Sequence, residues 1–385
     1  MSAALAAAVA GAALLGVVLM TEPLRRLALR HHLTDRPGIR KAHAAPTPYL
    51  GGVAVAVPTL TIGAGAALAG GVLDPSLGVL LGAAAAVAVL GLVDDVRPLS
   101  PGLRLGVETP AAALVVAVGG GPELTGWGGV DAALAVAWIV FTTNAVNLLD
   151  NTDGAAASLC AISGGFLCGT ALSGGEEGLV VVTSGLAGAC LGFLGHNWHP
   201  ARMFLGDAGS LFLGFTLSSA AVVLHAGGDG PTGLLGVWLA TLIATADTAL
   251  VMLSRRMAGQ PLLRGGTDHA AHRLCRVGLT VPRAVLLLCG VATLGCLTAL
   301  VLTGAPLAIA LSGAAMAAAT IVGLLIRLPA VGPLVPGRAD RRMPPQRPRR
   351  LLRSLRPRLS DQARTRGACG TNEPSPSGPC PKARE

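Results

Sequence analysis

Asn144-Ala145-Val146-Asn147-Leu148-Leu149-Asp150-Asn151-Thr152-Asp153-Gly154 is the stretch on which the reading of this chain turns. Asn144, Asn147, Asp150 and Asp153 recur at every third position, so on a helix or a tight turn they share roughly one face. An apolar run, residues 132 to 141, leads into them and another follows. Two carboxylates and two amides at the end of a membrane-length segment call for water, a metal ion or a polar substrate, since lipid cannot solvate them.

The rest of the chain sets that stretch in a membrane. Of 385 residues, 52% are hydrophobic and 13% charged, and the mean hydropathy is +0.64. A soluble domain is about a quarter charged, so a soluble enzyme is excluded as the working class. The expected fold class is all-α, a polytopic transmembrane helical bundle. Continuous Ala-, Leu- and Val-rich segments, without alternation, argue against a β-barrel. The 53 glycines follow no Gly-X-Y period and suit close helix packing in lipid. The eight cysteines form no C-x-x-C pair, so neither a disulfide framework nor a zinc site is expected.

Hydropathy places about 11 spans, near 2–20, 50–70, 77–93, 106–119, 130–147, 156–172, 178–195, 209–226, 232–253, 284–303 and 306–326. The first lacks a basic leader and is followed by Arg25 and Arg26, which fits a membrane anchor better than a signal peptide. With these spans all 29 Lys and Arg fall in loops on one side, while the opposite loops hold only acids such as Asp74, Glu123 and Asp131. Basic loops lie on the cytoplasmic side. The N-terminus is therefore expected outside and the C-terminus in the cytoplasm, with residues 1–327 as the transmembrane catalytic domain. Residues 328–385 form a basic, Pro/Arg-rich cytoplasmic tail, expected to be disordered. Its charge would draw anionic membrane lipids. No aromatic platform accompanies the arginines, so nucleic acid is not an expected partner.

The remaining polar clusters fall on the same side. Arg40, Lys41 and His43 sit in a Pro- and Gly-rich loop at headgroup level, where such donors bind phosphate. Asp94 and Asp95 end the third span, with Arg104 and Glu108 at the foot of the next. Asp207 lies in Phe204-Leu205-Gly206-Asp207-Ala208-Gly209-Ser210, ahead of the eighth span. Asp94, Asp95, Asp150, Asp153 and Asp207 make an all-oxygen set suited to Mg2+ or Mn2+ rather than zinc. His269 and His272, with Arg273 beside them, suit either a metal or a phosphate, and the flanking arginines favour the anion. Asp247, inside the ninth span, is expected to line a pocket or orient a helix. No phosphate-binding P-loop or dinucleotide fingerprint occurs.

These motifs, in this order, resemble those of the polyprenyl-phosphate N-acetylhexosamine-1-phosphate transferases over roughly residues 20 to 327. The resemblance rests on Asp35-x-Pro37 through Gly52, Gly91-x-x-Asp94-Asp95, Asn144 to Gly154, Asn197 to Leu211, Asp247 with Arg255-Arg256, and His269-x-x-His272-Arg273. It implies transfer of a sugar 1-phosphate from a UDP-N-acetylhexosamine to undecaprenyl phosphate, releasing UMP, at the cytoplasmic face of a bacterial plasma membrane. It implies Mg2+ dependence, with Asp207 as metal ligand, joined or not by Asp94 and Asp95. It gives Asp94, Asp95 and Asp207 catalytic roles, Asp94 as base or as orienting group. Asn144, Asn147, Asp150, Asp153 and Arg104, together with Arg40, Lys41, His43, His269, His272 and Arg273, would bind substrate. The last motif departs from Asp-Arg-x-His-x-His-His-Arg: Gly266, Thr267 and Ala271 stand at three of its positions. The departure leans toward UDP-GlcNAc or a similar simple donor and away from UDP-MurNAc-pentapeptide. A homodimer is left open. The alternatives are a transporter or flippase for an anionic or lipid-linked solute, and a scaffold without turnover.

Overall fold

The computed structural model of the protein describes residues 2–35, 47–226, 236–261, 266–302, 322–323 and 325–329. Among them the elements run α1 (Ala3–Arg30), β1 (Thr34–Asp35), β2 (Thr47–Pro48), α2 (Gly51–Ala69), α3 (Pro75–Val96), α4 (Pro101–Gly119) and α5 (Gly128–Leu149). Then follow α6 (Ala155–Gly174), α7 (Glu177–Asn197), α8 (Gly206–Leu224), α9 (Leu242–Met257), α10 (Ala270–Arg276) and α11 (Val281–Leu302). The two short strands pair antiparallel, Thr34 opposite Pro48. Nine of the described helices, α1 to α8 and α11, are long and apolar enough to cross a bilayer. The fold is an all-α membrane bundle, as the hydropathy pattern predicts.

Several boundaries differ from the sequence expectation, each for a local reason. The first span continues to Arg30 in one helix that runs through Pro23. Glu22 accepts from Arg25 at 2.8 Å and from Arg26 at 2.9 Å, and such pairs one turn apart support helix beyond the apolar segment. The fourth begins at Pro101, where Ser100 caps the helix by accepting from the Leu103 N–H at 3.3 Å and proline occupies the first turn. In place of the described part of the expected span 232–253 there is helix at 236–240, a turn at Thr241, and then α9, which ends in Arg255 and Arg256. Nearly all of the expected span 306–326, the tail, and Arg40, Lys41 and His43 lie outside the described residues.

The bundle is built around α8, whose residues from Ala208 to Val222 are buried without a break. Such a helix, apolar all round, belongs in a core. It packs against α2, α3, α4, α5, α6 and α7. Glycine makes the closest of these approaches: a Cβ on Gly91 would strike the Asp207 carbonyl, and one on Gly52 the Gly209 backbone. On α7, Gly188 and Gly192 stand one turn apart and let α1 come main chain to main chain at Ala10 and Leu14. Large aliphatic side chains such as Leu19, Val89, Leu114 and Leu294 face outward on α1, α3, α4 and α11, as a lipid-facing sheath should.

Short connections fix which helix ends lie together. Residues 97–100 join α3 to α4, so both have that end in common. The starts of α2 and α8 are stitched there too. Phe204 N–H donates to the Pro48 carbonyl at 2.8 Å, Gly51 N–H to Phe204 at 3.0 Å and Gly52 N–H to Leu205 at 2.7 Å. These bonds satisfy the first N–H groups of α2, which have no partner within the helix.

Candidate active site

The site forms where α3 and α5 end and α4 and α8 begin. Asp94, 7% exposed, closes α3. Its Oδ1 accepts from the Leu99 N–H at 2.6 Å and its Oδ2 from Arg104 Nη1 at 3.1 Å. Arg104, in the first turn of α4, turns its other terminal nitrogen to α5, reaching Asn144 Oδ1 at 3.4 Å and Asn147 Oδ1 at 3.3 Å. Asn147 in turn donates to Asp207 Oδ1 and to Ser210 Oγ, the latter at 2.8 Å. Asn144 donates to Glu108 Oε2 and to the Val140 carbonyl. The Asp207 carboxylate lies beside that of Asp94. One guanidinium and two amides thus join four helices, α3, α4, α5 and α8, and the every-third-residue spacing of Asn144 and Asn147 is what puts both amides on the α5 face turned to Arg104.

Asp95 does something different from its neighbour. Both its oxygens accept backbone N–H groups at the start of α8, from Asp207 at 2.8 Å and Ala208 at 3.0 Å. It is a helix cap supplied from another helix, placed at the positive end of the α8 dipole. Gly206 makes room for it: φ is +71°, and a Cβ there would crowd the Asp95 carboxylate.

Asp150 caps the end of α5, half-buried. Desolvation first, then the carboxylates of Asp207, Asp95 and Asp153, holds its pKa well above the usual carboxylate range. Its side chain accepts no hydrogen bond among the described residues. Asp153 is occupied in shaping the chain: its Oδ2 meets His199 Nδ1 at 2.8 Å and the Ala201 N–H at 3.0 Å. Buried Asn197 ties the same loops, accepting from the Gly154 N–H and donating to the Met203 carbonyl, each at 3.0 Å.

Among the described residues the cluster is short of positive charge. Among the described residues Arg104 is the cation that faces Asp94, Asp207 and Glu108. An all-oxygen, over-acidic site of this kind fits a hard divalent ion. Among the described residues no three His, Cys, Asp or Glu side chains converge as a ligand set. Asp207 and Asp94 could supply oxygens to such an ion if water and phosphate oxygens completed its shell.

His269, His272 and Arg273 belong to a second cluster, on α9 and α10. Asp247, 2% exposed, accepts from the Ala270 N–H at 2.6 Å and holds His269 Nδ1 at 2.8 Å. Arg255 grips Asp268 with two bonds of 2.7 Å. That pair, working against desolvation, holds the Asp268 carboxyl below its ordinary range. Burial, then His269 and Arg276, lowers the His272 pKa to about 4, so this ring is neutral at pH 7. Its Nδ1 is buried without a partner among the described residues. Arg273 is buried, and its guanidinium donates to the carbonyls of Asp268, Leu325 and Leu328, while its Nη2 is buried without a partner among the described residues.

Sequence reasoning placed Glu108 at the foot of the fourth span near Asp94 but gave neither it nor Ser210 a role in the site. Glu108 stands one helical turn after Arg104 and Ser210 one turn after Asp207, and that spacing was their available signal.

Comparison with known proteins is consistent with this geometry. A family profile described as glycosyl transferase family 4 matches residues 77–225, from α3 to just past α8. A Streptomyces coelicolor protein carrying the name of a glycosyltransferase is 43% identical over 294 residues, 75% of this chain and 68% of the relative. A Bacillus subtilis protein named as an undecaprenyl-phosphate N-acetylglucosaminyl 1-phosphate transferase is 31% identical over 76% of this chain and 83% of its own length. A Mycolicibacterium smegmatis decaprenyl-phosphate N-acetylglucosaminephosphotransferase is 31% identical over 69% and 74%.

Proposed function

From the chain's membership of glycosyl transferase family 4, the polyprenyl-phosphate N-acetylhexosamine-1-phosphate transferases, we propose that it transfers GlcNAc 1-phosphate from UDP-GlcNAc to undecaprenyl phosphate. UMP is released, and a lipid-linked precursor of a cell-wall or surface polysaccharide is begun. The observation that carries this reading is Asp207 beside Asp94, with Asn147 and Arg104 between them, at one end of a membrane bundle. That placement suits chemistry at a membrane face between a soluble and a lipid substrate. A solute pathway would carry its polar groups through the midplane.

The bonds exchanged are few. A phosphate oxygen of the lipid bonds to the sugar-bearing phosphorus of the donor, and the bond from that phosphorus to the bridging oxygen breaks. UMP departs with the electron pair. The lipid phosphate is already ionised, so it needs orientation more than deprotonation. Asp94 fits the orienting role, because the Leu99 N–H and Arg104 fix both its oxygens. Asp207, with Asp94 next to it, would hold Mg2+, which supplies charge neutralisation at the diphosphate. Asn147 keeps Asp207 in its rotamer, and Asp95 keeps the first turn of α8 where Asp207 needs it. The catalytic end faces the cytoplasm of a bacterial plasma membrane in this reading, because the basic loops flank it.

The test is turnover by purified protein in detergent with Mg2+, undecaprenyl phosphate and, separately, UDP-GlcNAc, UDP-GalNAc and UDP-MurNAc-pentapeptide. UMP and a lipid diphosphate sugar are expected with UDP-GlcNAc. Absence of UMP with all three donors rejects the reading.

A further inference from the structure

Glu108 is fully buried on α4, a lipid-spanning helix, and the mechanism above does not use it. Its Oε2 accepts from Asn144 Nδ2, while its Oε1 is buried with no partner among the described residues. A buried carboxylate with one bare oxygen is costly, and an apolar residue would pack there more cheaply. Among the described residues no direct ion pair repays the cost, because Arg104 makes its salt bridge with Asp94, at 3.1 Å. What Glu108 does reach is the amide of Asn144.

That contact decides which way the amide faces. Asn144 has one oxygen and one NH2 group. With the NH2 group drawn to Glu108 and the Val140 carbonyl, Oδ1 is left to accept from Arg104 Nη2 at 3.4 Å. Turned over, the amide would present N–H to a guanidinium, donor against donor. The carboxylate accepts only, so it enforces one orientation. Arg104 so held makes the bond to Asp94. We infer that Glu108 is a positioning residue: by fixing the Asn144 amide it seats the Arg104 guanidinium, and through it the Asp94 carboxylate, for the transfer reaction. The inference rests on the function proposed above.

The test begins with UMP release by the unaltered protein from UDP-GlcNAc and undecaprenyl phosphate with Mg2+. If that is absent, the proposed function fails and Glu108 is not at issue. Given activity, Glu108→Ala is expected to lower kcat about 10–100-fold, the usual scale for outer-sphere orienting partners, with KM for UDP-GlcNAc within threefold. Glu108→Gln retains an acceptor oxygen and is expected to recover most of the loss. Because Glu108 acts through Asn144, the Glu108→Ala/Asn144→Ala pair should be no slower than Asn144→Ala alone. Multiplying losses, or a Glu108→Ala enzyme with normal kcat, would overturn the assignment. If Glu108→Ala does not fold, Glu108→Gln decides alone: activity within threefold supports an orienting acceptor, and a loss beyond tenfold refutes it.

Discussion

The carboxylate of Asp95 receives the backbone N–H groups of Asp207 and Ala208, so the residue that closes α3 also opens α8. Asp94, beside it in sequence, holds the Arg104 side chain and the Leu99 N–H of the α3–α4 loop, not the start of α8. Two adjacent acids therefore have separable duties.

Replacing Asp95 by Ala should remove a cap and a favourable charge at a helix start, worth about 1–2 kcal/mol. The expected result is a lower unfolding temperature in detergent together with reduced UMP release, because Asp207 loses its fixed turn. Asp94→Ala should slow turnover with a smaller thermal effect. Equal melting of the two variants would contradict the division.

Asp207→Asn keeps an oxygen for Asn147 but removes a charge from an over-acidic cluster. Turnover should fall about 100-fold or more. Without Mg2+ the variant should melt no lower than the parent, since carboxylate repulsion by Asp94 is relieved. Mg2+ should raise the melting temperature of the parent more than that of the variant. UMP release reads the first, and differential scanning fluorimetry across a Mg2+ titration reads the other two.

Arg104→Lys retains the charge but cannot bond Asp94, Asn144 and Asn147 from one planar fork. A loss of about tenfold in kcat is expected, the scale of one charge-assisted bond near 1.5 kcal/mol. Arg104→Ala should lose considerably more.

His272 gives the second cluster a pH signature. In the folded protein it takes a proton only near pH 4, while an unfolded histidine does so near 6.5. Between those values the unfolded state binds more protons, so stability is full above 6.5 and is lost as the pH falls toward 4. The slope from this one ring is at most about 1.4 kcal/mol per pH unit. His272→Gln should flatten it in melting curves taken from pH 7 to 4.5.

Much of the arrangement can be read from the chain. Hydropathy and the one-sided distribution of basic residues place Asp94, Asp95, Asn144, Asn147 and Asp207 at one end of the bundle, and the structure brings them together there. What periodicity does not carry is partnership across distance. Asp95 caps a helix more than a hundred residues away. Arg273 donates to the carbonyls of Leu325 and Leu328, some fifty residues on, a pairing no local pattern announces. Asp247 and His269 find each other from separate helices. The break at Thr241 was equally hidden, since the apolar run continues through it.

The enclosure of α8 has a directional consequence. Other helices cover its length from Ala208 to Val222, and the turn bearing Asp207 opens outward at the end where the site lies, as Val223 and Leu224 do at the opposite end. In the proposed reaction a water-borne sugar nucleotide and a bilayer-borne phosphate must therefore both arrive at the tip of the pillar, one from above and one sideways between neighbouring helix ends. Mutations along its shaft would test how firmly the doorway is framed, whereas residues at the rim would decide what is admitted.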